Sequence, residues 1–442
     1  MLYYLKVIIF LLIFYSNSLY SQNLNIVRDA EIENFFYDLS FPIIESSEIK
    51  NTQINFYLDK QNYINAFVIS GPKIFITTEL LIKTNSIDQI AGVIAHEIGH
   101  ITGGHLSKRY NAYEDSMFTT MISSILAVGA IAAGSTSAGT AILMGGEHIR
   151  KRQILSFSRN QESFADQAAI KLLKKSNYSI KGLYELFEIL EKKERFSKIN
   201  PYNQTHPLSV ERKRVIEGHI EDKSTNVSNY LLNERFKLIK AKLIGYTTKK
   251  DRFHIYYPED KNTLESWYAK SIHYYLNGDI DKALIFIDKC INEKKENPYF
   301  HELKGQILYE NGRSFLAINS YKEAIKYKND EKHFYLATSK AIYAQKDIRL
   351  YDEGISFLKK YIGEEDFPIE AWHYLGLYYG KMGEYVLSSL ALTEKFLLLN
   401  DLKNAKLQLQ KAKKKDIPYK KYSSKINDLK YLIKQKEKEI NE

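Results

Sequence analysis

Residues 86–105 read SIDQIAGVIAHEIGHITGGH, and this stretch decides the fold of the first half of the chain. Isoleucine recurs every fourth residue from position 90 to position 98, which predicts a helix with one apolar face. Ser86 and Gln89 have the spacing of a capping box, in which Ser86 begins the helix and Gln89 reaches back to it. The pair Gly103-Gly104 predicts the end of the helix or a bend.

The same stretch contains the pattern H-E-x-x-H at positions 96–100. On a helix, His96 and His100 lie one turn apart on the same face, so both imidazoles can bind one Zn²⁺ ion. Glu97 lies about 100° round the helix, where it can take a proton from an attacking water without being a ligand itself. We therefore predict one zinc ion per chain, with His96 and His100 as ligands and Glu97 as the catalytic base.

A catalytic zinc site takes three protein ligands, so the sequence has to supply a third. The segment 158–166 reads SRNQESFAD and places Glu162 and Asp166 four residues apart, on one face of a predicted helix. We predict that Glu162 is the third ligand. Asp166 is then in a position to accept a hydrogen bond from the distal nitrogen of a ligating histidine and so fix its orientation.

Another arrangement, H-E-x-x-H-x-x-G-x-x-H, leaves a second choice of third ligand open. Gly103 fits that pattern, but its last position falls on Leu106, and His105 comes one residue too early. If the helix simply continued, His105 would point about 140° away from His100. We expect His105, like the other histidines outside these motifs, to be structural or exposed.

Two short apolar segments precede this helix and predict strands. Residues 64–69 and 73–77 are rich in β-branched and aromatic side chains, and the turn sequence Ser70-Gly71-Pro72 separates them. They predict a hairpin. The first half of the chain is therefore expected to be an α+β, zincin-like (gluzincin) domain, in which helices carry the ligands beside a small sheet.

Beyond residue 261, small residues recur at a fixed spacing. Gly278 and Gly312 are 34 residues apart, as are Ala283 and Ala317, and the segment 372–383 continues the pattern. A 34-residue period of paired helices is typical of tetratricopeptide repeats, which stack into an α-solenoid with a concave binding face. Residues 332–366 match the period poorly, so an irregular helical domain stays the alternative.

Residues 1–21 predict a signal peptide for export. An apolar run at 7–15 follows Lys6, and small residues lead to a cleavage point at Ser21. The run is short for a bilayer span, although an uncleaved anchor stays the alternative. The single cysteine, Cys290, allows neither an internal disulfide nor a cysteine-based zinc site. Export without disulfides favours the periplasm.

The distribution of charge limits the partners. The net charge is +10, but the lysines are spread along the chain and no nucleic-acid motif accompanies them, so no nucleic-acid partner is expected.

Residues 116–146 carry no charge and are long enough for a membrane span. A single crossing there would separate Glu162 from the two histidines, so we expect a buried helical hairpin or a shallow, peripheral membrane contact.

Four motifs resemble the Ste24/HtpX class of zinc metallopeptidases. They are Asn65-Ala66-Phe67, H-E-I-G-H at 96–100, S-R-x-x-E-x-x-A-D at 158–166 and Thr205-His206-Pro207-Leu208. The resemblance covers residues 60–220. With the signal peptide and the trailing repeats, the chain is most similar to the periplasmic members of that class that join a protease domain to tetratricopeptide repeats.

The resemblance implies roles for two further parts of the chain. His206 matches a histidine that can occupy the fourth zinc position and hold the enzyme inactive until it moves away. A hydrogen bond to the tetrahedral intermediate is another role for it. Asn65, Ala66 and Phe67 match a strand that pairs with an extended substrate backbone.

The resemblance also implies substrates and partners. The substrates would be unfolded or misassembled envelope proteins, above all outer-membrane β-barrel proteins. The repeats would recruit the outer-membrane assembly machinery or the substrate itself.

We predict a mainly α chain with five parts. They are a signal peptide (1–21), a metallopeptidase domain (22–225), a helical linker (226–260), repeats (261–415) and a Lys-rich helix or tail (416–442). The predicted function is that of a periplasmic zinc metalloendopeptidase. The alternative is a chaperone or scaffold for outer-membrane protein assembly whose protease activity is mostly repressed by His206.

Overall fold

The computed structural model describes residues 25–49, 52–69, 72–105, 159–196, 206–220, 228–365, 367–417 and 420–441. By its internal contacts the chain divides into two units, Met1–Lys240 and Ala241–Glu442. The predicted signal peptide at 1–21 and the uncharged segment at 116–146 lie outside the described residues. Within the described part of the chain, no helix is both long and apolar enough to cross a membrane.

A four-stranded sheet forms the β part of the first unit. Its strands, in the order β1-β2-β4-β3, are β1 (Ile26–Val27), β2 (Asn55–Asp59), β3 (Ala66–Ile69) and β4 (Lys73–Thr77). Strands β2 and β4 are parallel, whereas β1 pairs antiparallel with β2 and β3 pairs antiparallel with β4. The predicted hairpin is therefore confirmed, and β3 lies at an edge of the described sheet.

Helices make up the rest of the described first unit. They are α1 (Ala30–Glu45), α2 (Thr78–Lys83), α3 (Ile87–Thr102), α4 (159–175), α5 (Ile180–Phe196), α6 (Val210–Glu217) and α7 (Ser228–Thr247). Helix α7 contains the point at which the chain divides into its two units. Helix α3 carries H-E-x-x-H, and helix α4 carries Glu162 and Asp166.

Helix α1 packs its apolar face against the sheet. Asp29 caps the helix by accepting a hydrogen bond from the N–H of Ile32 at 3.0 Å. The side chains that become fully buried recur on one face, at Phe35, Phe36, Leu39 and Ile43. The rings of Phe36 and of Phe56 in β2 lie 5.8 Å apart. Each buried side chain of this size contributes about 1.5–3 kcal/mol to stability.

Helix α3 begins and ends where the sequence predicts, but its start is stabilised differently. Ser86 precedes the helix without a capping hydrogen bond from its side chain. The Oε1 atom of Gln89 accepts instead from the backbone N–H of Asn85 at 2.7 Å, and its Nε2 donates to Glu185 at 3.0 Å. The predicted capping box is therefore wrong, because Gln89 bonds one residue earlier and to a neighbouring helix.

Two glycines of α3 allow other helices to come very close. A Cβ atom added at Gly99 would lie 2.9 Å from the backbone of Ala165 in α4. One added at Gly92 would lie 2.9 Å from the Cβ of Leu183 in α5. Because these contacts leave no room for a side chain, the glycines set how deeply α4 and α5 pack onto the helix that carries H-E-x-x-H.

The second unit is built from consecutive helices, each packed on the next. After a short helical turn at Lys250–Arg252 come α8 (Phe253–Tyr256), α9 (Leu264–Leu276), α10 (Ile280–Glu293), α11 (Pro298–Glu310), α12 (Ser314–Tyr327) and α13 (Lys332–Gln345). A second turn at Ile348–Leu350 precedes α14 (Tyr351–Glu364), α15 (Ile369–Lys381), α16 (Tyr385–Leu398), α17 (Leu402–Asp416) and α18 (Ser423–Asn441).

A left-handed residue marks the turn inside each helix pair of this unit. Gly278, Gly312 and Gly383 have φ values of 82°, 74° and 80°. In the pair α13–α14 the same place is taken by Lys346, with φ of 59°, which lies 34 residues after Gly312. Residues 332–366 therefore contain a helix pair that the sequence pattern does not reveal, because a lysine replaces the expected glycine.

The predicted fold class is confirmed: a mainly helical chain with one small sheet in its first half and helical repeats in its second. The boundaries of the five predicted parts stay predictions.

Candidate metal centre

Three polar side chains of one turn of α3 are buried together. His96, Glu97 and His100 are 1 %, 1 % and 7 % exposed. Burying groups of this kind is unfavourable unless they find partners. The isoleucines on either side of them belong to the core, so the position of α3 in the unit forces these three polar groups inward.

Helix α4 brings Glu162 to the two histidines. Glu162 is fully buried, and its two oxygens lie 3.3 Å from His96 Nε2 and 3.3 Å from His100 Nε2. The two Nε2 atoms are themselves 3.1 Å apart. Gly99 lies between the two histidines and makes this approach possible. Because glycine has no side chain, the backbone of α4 packs directly against Gly99.

His206 reaches the same place from the residues just before α6. Its Nδ1 lies 3.4 Å from His96 Nε2 and 3.2 Å from each oxygen of Glu162. Its Nε2 lies 3.2 Å from the backbone oxygen of Ala66 in β3. Nε2 faces this oxygen and can donate to it, a tautomer in which Nδ1 presents an electron pair to the cluster.

Four side chains thus present one donor atom each to a common point. His96, His100, Glu162 and His206 are all buried, and these atoms lie within 4.8 Å of one another. Three imidazoles and one carboxylate in such an arrangement form a site that fits a single metal ion.

Glu97 lies beside the cluster without joining it. Both of its carboxylate oxygens are buried and have no hydrogen-bond partner among the described residues. The Nε2 atom of His206 lies 3.5 Å from Glu97 Oε1. A buried carboxylate of this kind is suited to receive a proton from a group that binds at the centre.

Asp166 orients the first histidine. Its Oδ1 lies 3.0 Å from His96 Nδ1, so this nitrogen faces the carboxylate and Nε2 faces the centre. Burial opposes ionisation of Asp166, but hydrogen bonds from Arg212 and His96 hold the pKa of its carboxyl below the usual range. Asp166 thus lies behind His96, on the side of its ring that faces away from the cluster.

His105 orients the second histidine, which the sequence analysis did not predict. Helix α3 ends at Thr102, and Gly104 has φ of 60°, so the chain turns back instead of continuing as a helix. His105 is 4 % exposed, and its Nδ1 lies 2.8 Å from His100 Nδ1. The direction away from His100 that a continued helix would give does not apply, because the helix ends before His105. The two adjacent glycines were the signal for this turn.

Arg212 is the second residue that the sequence analysis missed. It lies in the first turn of α6, is 6 % exposed, and bonds both oxygens of Asp166. Its Nη1 also lies 3.0 Å from Glu162 Oε2. The sequence around it, Val210-Glu211-Arg212-Lys213-Arg214, is that of a solvated basic helix, so only the tertiary contacts single it out.

The electrostatics of the cluster favour positive charge at its centre. Burial lowers the pKa of His96, but hydrogen bonds to Asp166 and Glu162 outweigh this effect and raise it to about 9. Burial lowers the pKa of His100 to about 3. Burial works against the ionised form of Glu162, yet the surrounding histidines keep its pKa well below the usual range.

The three residues expected to bind a substrate strand lie beside the cluster. Asn65 immediately precedes β3 and is fully buried, and Ala66 begins the strand. The ring of Phe67 is stacked on that of Phe75 in β4, with centroids 5.3 Å apart. His206 contacts the backbone of this segment through Ala66, so β3 adjoins the cluster at that residue.

Comparisons with known proteins agree with this geometry. Residues 28–220 match peptidase family M48. The β-barrel assembly-enhancing protease of Escherichia coli (strain K12) is 24% identical over 315 residues, which are 68% of this chain and 62% of that protein. This chain therefore spans less than two thirds of the length of that relative.

Shorter matches fall on other metalloproteases. Metalloprotease LoiP of the same E. coli strain is 27% identical over 177 residues, 40% of this chain and 65% of that protein. Mitochondrial metalloendopeptidase OMA1 of Schizosaccharomyces pombe is 27% identical over 154 residues, 35% of this chain and 42% of that protein. These matches confirm the family resemblance seen in the motifs. Residues 28–220 are therefore similar to the metallopeptidase domains of peptidase family M48.

Proposed function

We propose that this protein is a zinc metalloendopeptidase that cleaves unfolded or misassembled proteins of the bacterial envelope. The observation that carries the proposal is the cluster of His96, His100, Glu162 and His206, with the unligated carboxylate of Glu97 beside it. Ligands from one helix turn and a glutamate from a second helix are the set found in catalytic zinc sites of the His₂Glu type.

The spacing of the ligand atoms supports a small ion. The individual distances given above run from 3.1 to 3.4 Å, and all four donor atoms lie within 4.8 Å of one another. Atoms at the corners of a tetrahedron with zinc bonds of about 2.0–2.1 Å are about 3.3 Å apart. A calcium ion, with bonds of about 2.3–2.6 Å to oxygen, would need wider spacing and more oxygen ligands. The donor set and its dimensions therefore favour zinc.

The balance of buried charge supports a divalent ion. Glu97, Glu162 and Asp166 bring three negative charges, and Arg212 brings one positive charge. Histidines that bind a metal ion are neutral, so the carboxylates then leave an excess of negative charge in a region shielded from water. Uncompensated buried charge is strongly unfavourable, and a bound divalent cation would neutralise it.

The chemistry follows from the positions of the residues. Zinc bound by His96, His100 and Glu162 would act as a Lewis acid on the scissile peptide group and on the attacking water. Glu97 takes a proton from that water and returns it to the amine that leaves. Asp166 keeps His96 in the tautomer that presents Nε2 to the centre.

The edge strand β3 supports an extended polypeptide as substrate. The N–H of Thr77 donates to the oxygen of Asn65, so that oxygen points towards β4. Because carbonyls alternate along a strand, the next one, on Ala66, points away from the sheet. An extended chain bound along β3 would find this carbonyl beside the metal ligands, in the manner of strand addition.

His206 supports a second candidate function, that of a scaffold whose protease is mostly silent. Its Nδ1 occupies a fourth position around the centre, and its Nε2 is bonded to Ala66, the residue that a substrate strand would use. While His206 holds both places, neither water nor substrate can take them. The protein would then cleave only when His206 moves away, and could otherwise act through its helical repeats.

The location and the partners are inferred from the name of a relative and the pattern of residues 1–21. A relative is named for enhancing β-barrel assembly, and residues 1–21 have the pattern of a signal peptide. We infer a periplasmic protein with outer-membrane β-barrel proteins among its substrates, and helical repeats that recruit either the assembly machinery or the substrate.

The test compares purified wild-type protein with Glu97→Gln, Glu162→Gln and His206→Ala variants. Metal content is measured by mass spectrometry and cleavage with an unfolded outer-membrane β-barrel protein, with the folded barrel as control. We expect one zinc ion per wild-type chain. Glu97→Gln should keep the zinc and lower the cleavage rate by about 10²–10⁴-fold. Glu162→Gln should weaken zinc binding.

The His206→Ala variant separates the two candidates. A cleavage rate well above wild type would show that His206 represses the enzyme, as the scaffold candidate requires. A lower rate would show that His206 assists the reaction. Wild-type protein that binds no zinc, or Glu97→Gln protein that cleaves as fast as wild type, would overturn the proposed function.

A further inference from the structure

Arg212 contacts two carboxylates of the centre and the segment that carries His206. Its Nε bonds Asp166 Oδ2 at 2.6 Å and its Nη2 bonds Asp166 Oδ1 at 2.8 Å. Its Nη1 lies 3.0 Å from Glu162 Oε2 and donates to the backbone oxygen of Pro207 at 2.8 Å. One buried guanidinium thus joins a metal ligand, the residue that orients another ligand, and the segment that carries His206.

Neighbouring elements fix the guanidinium in this place. The backbone N–H of Arg212 donates to Ser209 Oγ, which caps α6 and so sets the direction of its first turn. On the other side, the guanidinium carbon lies 5.0 Å from the centre of the Phe187 ring in α5. A planar cation over an aromatic ring, with its edge on two carboxylates, has little freedom to rotate.

We propose that Arg212 is a positioning residue that couples the His206 segment to the metal ligands. Through Asp166 it holds His96, and through Glu162 it holds the carboxylate ligand directly. Through Pro207 it holds the residue next to His206. The inference rests on the proposed function, since it concerns how the metal site of that enzyme is kept in shape.

The contacts of Arg212 with Asp166 and with Pro207 differ in number. The bonds to Asp166 are bidentate and buried, whereas a single bond reaches Pro207. When His206 leaves the centre, the bond to Pro207 is the one that breaks, while both carboxylates stay in place. Arg212 thereby lets the fourth position open without disturbing the ligands His96 and Glu162.

The variant Arg212→Lys tests the proposal. Lysine keeps the positive charge, but its single ammonium group cannot bond both oxygens of Asp166 and also reach Glu162 and Pro207. The measurement is the zinc affinity of the full chain by competition with a chelator, at fixed pH. The matched control is Arg214→Lys, on an exposed position of the same helix. Circular dichroism and the melting temperature report folding separately.

We expect Arg212→Lys to be folded and to bind zinc about ten- to a hundredfold more weakly, as for other residues that orient ligands. The control should match wild type. A purely structural role would lower the melting temperature and leave the affinity of the folded protein unchanged, and that outcome overturns the inference. Wild-type protein that binds no zinc would instead defeat the proposed function.

A double variant tests the link to His206. In a His206→Ala chain the bond from Arg212 to Pro207 no longer holds a fourth ligand, so Arg212→Lys should weaken zinc binding less than it does in the wild-type background. Equal fold-changes in zinc affinity in both backgrounds would show that Arg212 is not coupled to His206. Should the lysine variant fail to fold, Asp166→Asn, which breaks the fork from the other side, takes its place under the same criterion.

Discussion

Each histidine of α3 is oriented by a different partner. Asp166 accepts from the distal nitrogen of His96, and His105 faces the distal nitrogen of His100. The first partner is a carboxylate, which raises the basicity of its histidine, whereas the second is an imidazole ring held by a turn. A metal site built in this way depends on residues that never touch the ion.

His105 is therefore expected to matter although it is no ligand. We predict that His105→Ala lowers zinc affinity by about tenfold, because His100 loses the partner that fixes its ring. The measurement is chelator competition on folded protein. His219→Ala is the control, since His219 is exposed at the end of α6. An affinity equal to that of wild type would show that His100 needs no partner.

At the scale of the element, the second x of H-E-x-x-H decides how closely two helices pack. Gly99 lies between the ligating histidines, and the backbone of α4 occupies the space where its side chain would be. The glycine thus brings Glu162 within reach of both rings.

We predict that Gly99→Ala displaces α4, destabilises the first unit by about 1–3 kcal/mol and weakens zinc binding. Unfolding by denaturant and zinc titration measure the two effects. Gly363→Ala is the matched control, because a Cβ atom there meets no other atom within 4 Å. If both alanine variants bind zinc like wild type, close packing of α4 on Gly99 is not what places Glu162.

A substitution in the turn between α13 and α14 is expected to increase stability, in contrast to Gly99→Ala. Lys346 adopts a left-handed backbone that costs an ordinary side chain about 1 kcal/mol relative to glycine. We predict that Lys346→Gly raises the free energy of unfolding of the second unit by about that amount. Gly312→Lys, at the equivalent turn, should lower it. A loss of stability in Lys346→Gly would mean that the lysine side chain makes contacts that outweigh its backbone strain.

At the scale of the whole molecule, metal binding and the helical repeats belong to different units. The metal cluster lies in Met1–Lys240, whereas the repeats lie in Ala241–Glu442, with buried clusters of their own. A ligand stabilises only the unit that binds it in the folded state.

We therefore predict that a chelator affects the two units unequally. At a free zinc concentration a thousandfold above the dissociation constant, binding contributes about 4 kcal/mol to the first unit. Removing zinc should lower its unfolding transition and leave that of the second unit unchanged. Hydrogen exchange followed by peptide mass spectrometry assigns each transition to its residues. Equal destabilisation of both units would contradict the prediction.

The sequence by itself determined the local parts of this protein. The spacing of His96 and His100 on an amphipathic helix, the hairpin and the 34-residue repeat all follow from periodicities of the backbone, which neighbouring residues fix on their own. The fold class and the metallopeptidase character could therefore be predicted from these patterns and the family resemblance.

Only the tertiary structure decided which residues orient the side chains of the cluster. His105 faces His100 only because the helix ends and the chain reverses, and Arg212 reaches Asp166 only because α6 packs beside α4 and α5. Lys346 adopts the left-handed backbone conformation that glycine adopts at the other turns of this kind. Contacts between residues far apart in the chain have no period in the sequence, so packing alone selects them.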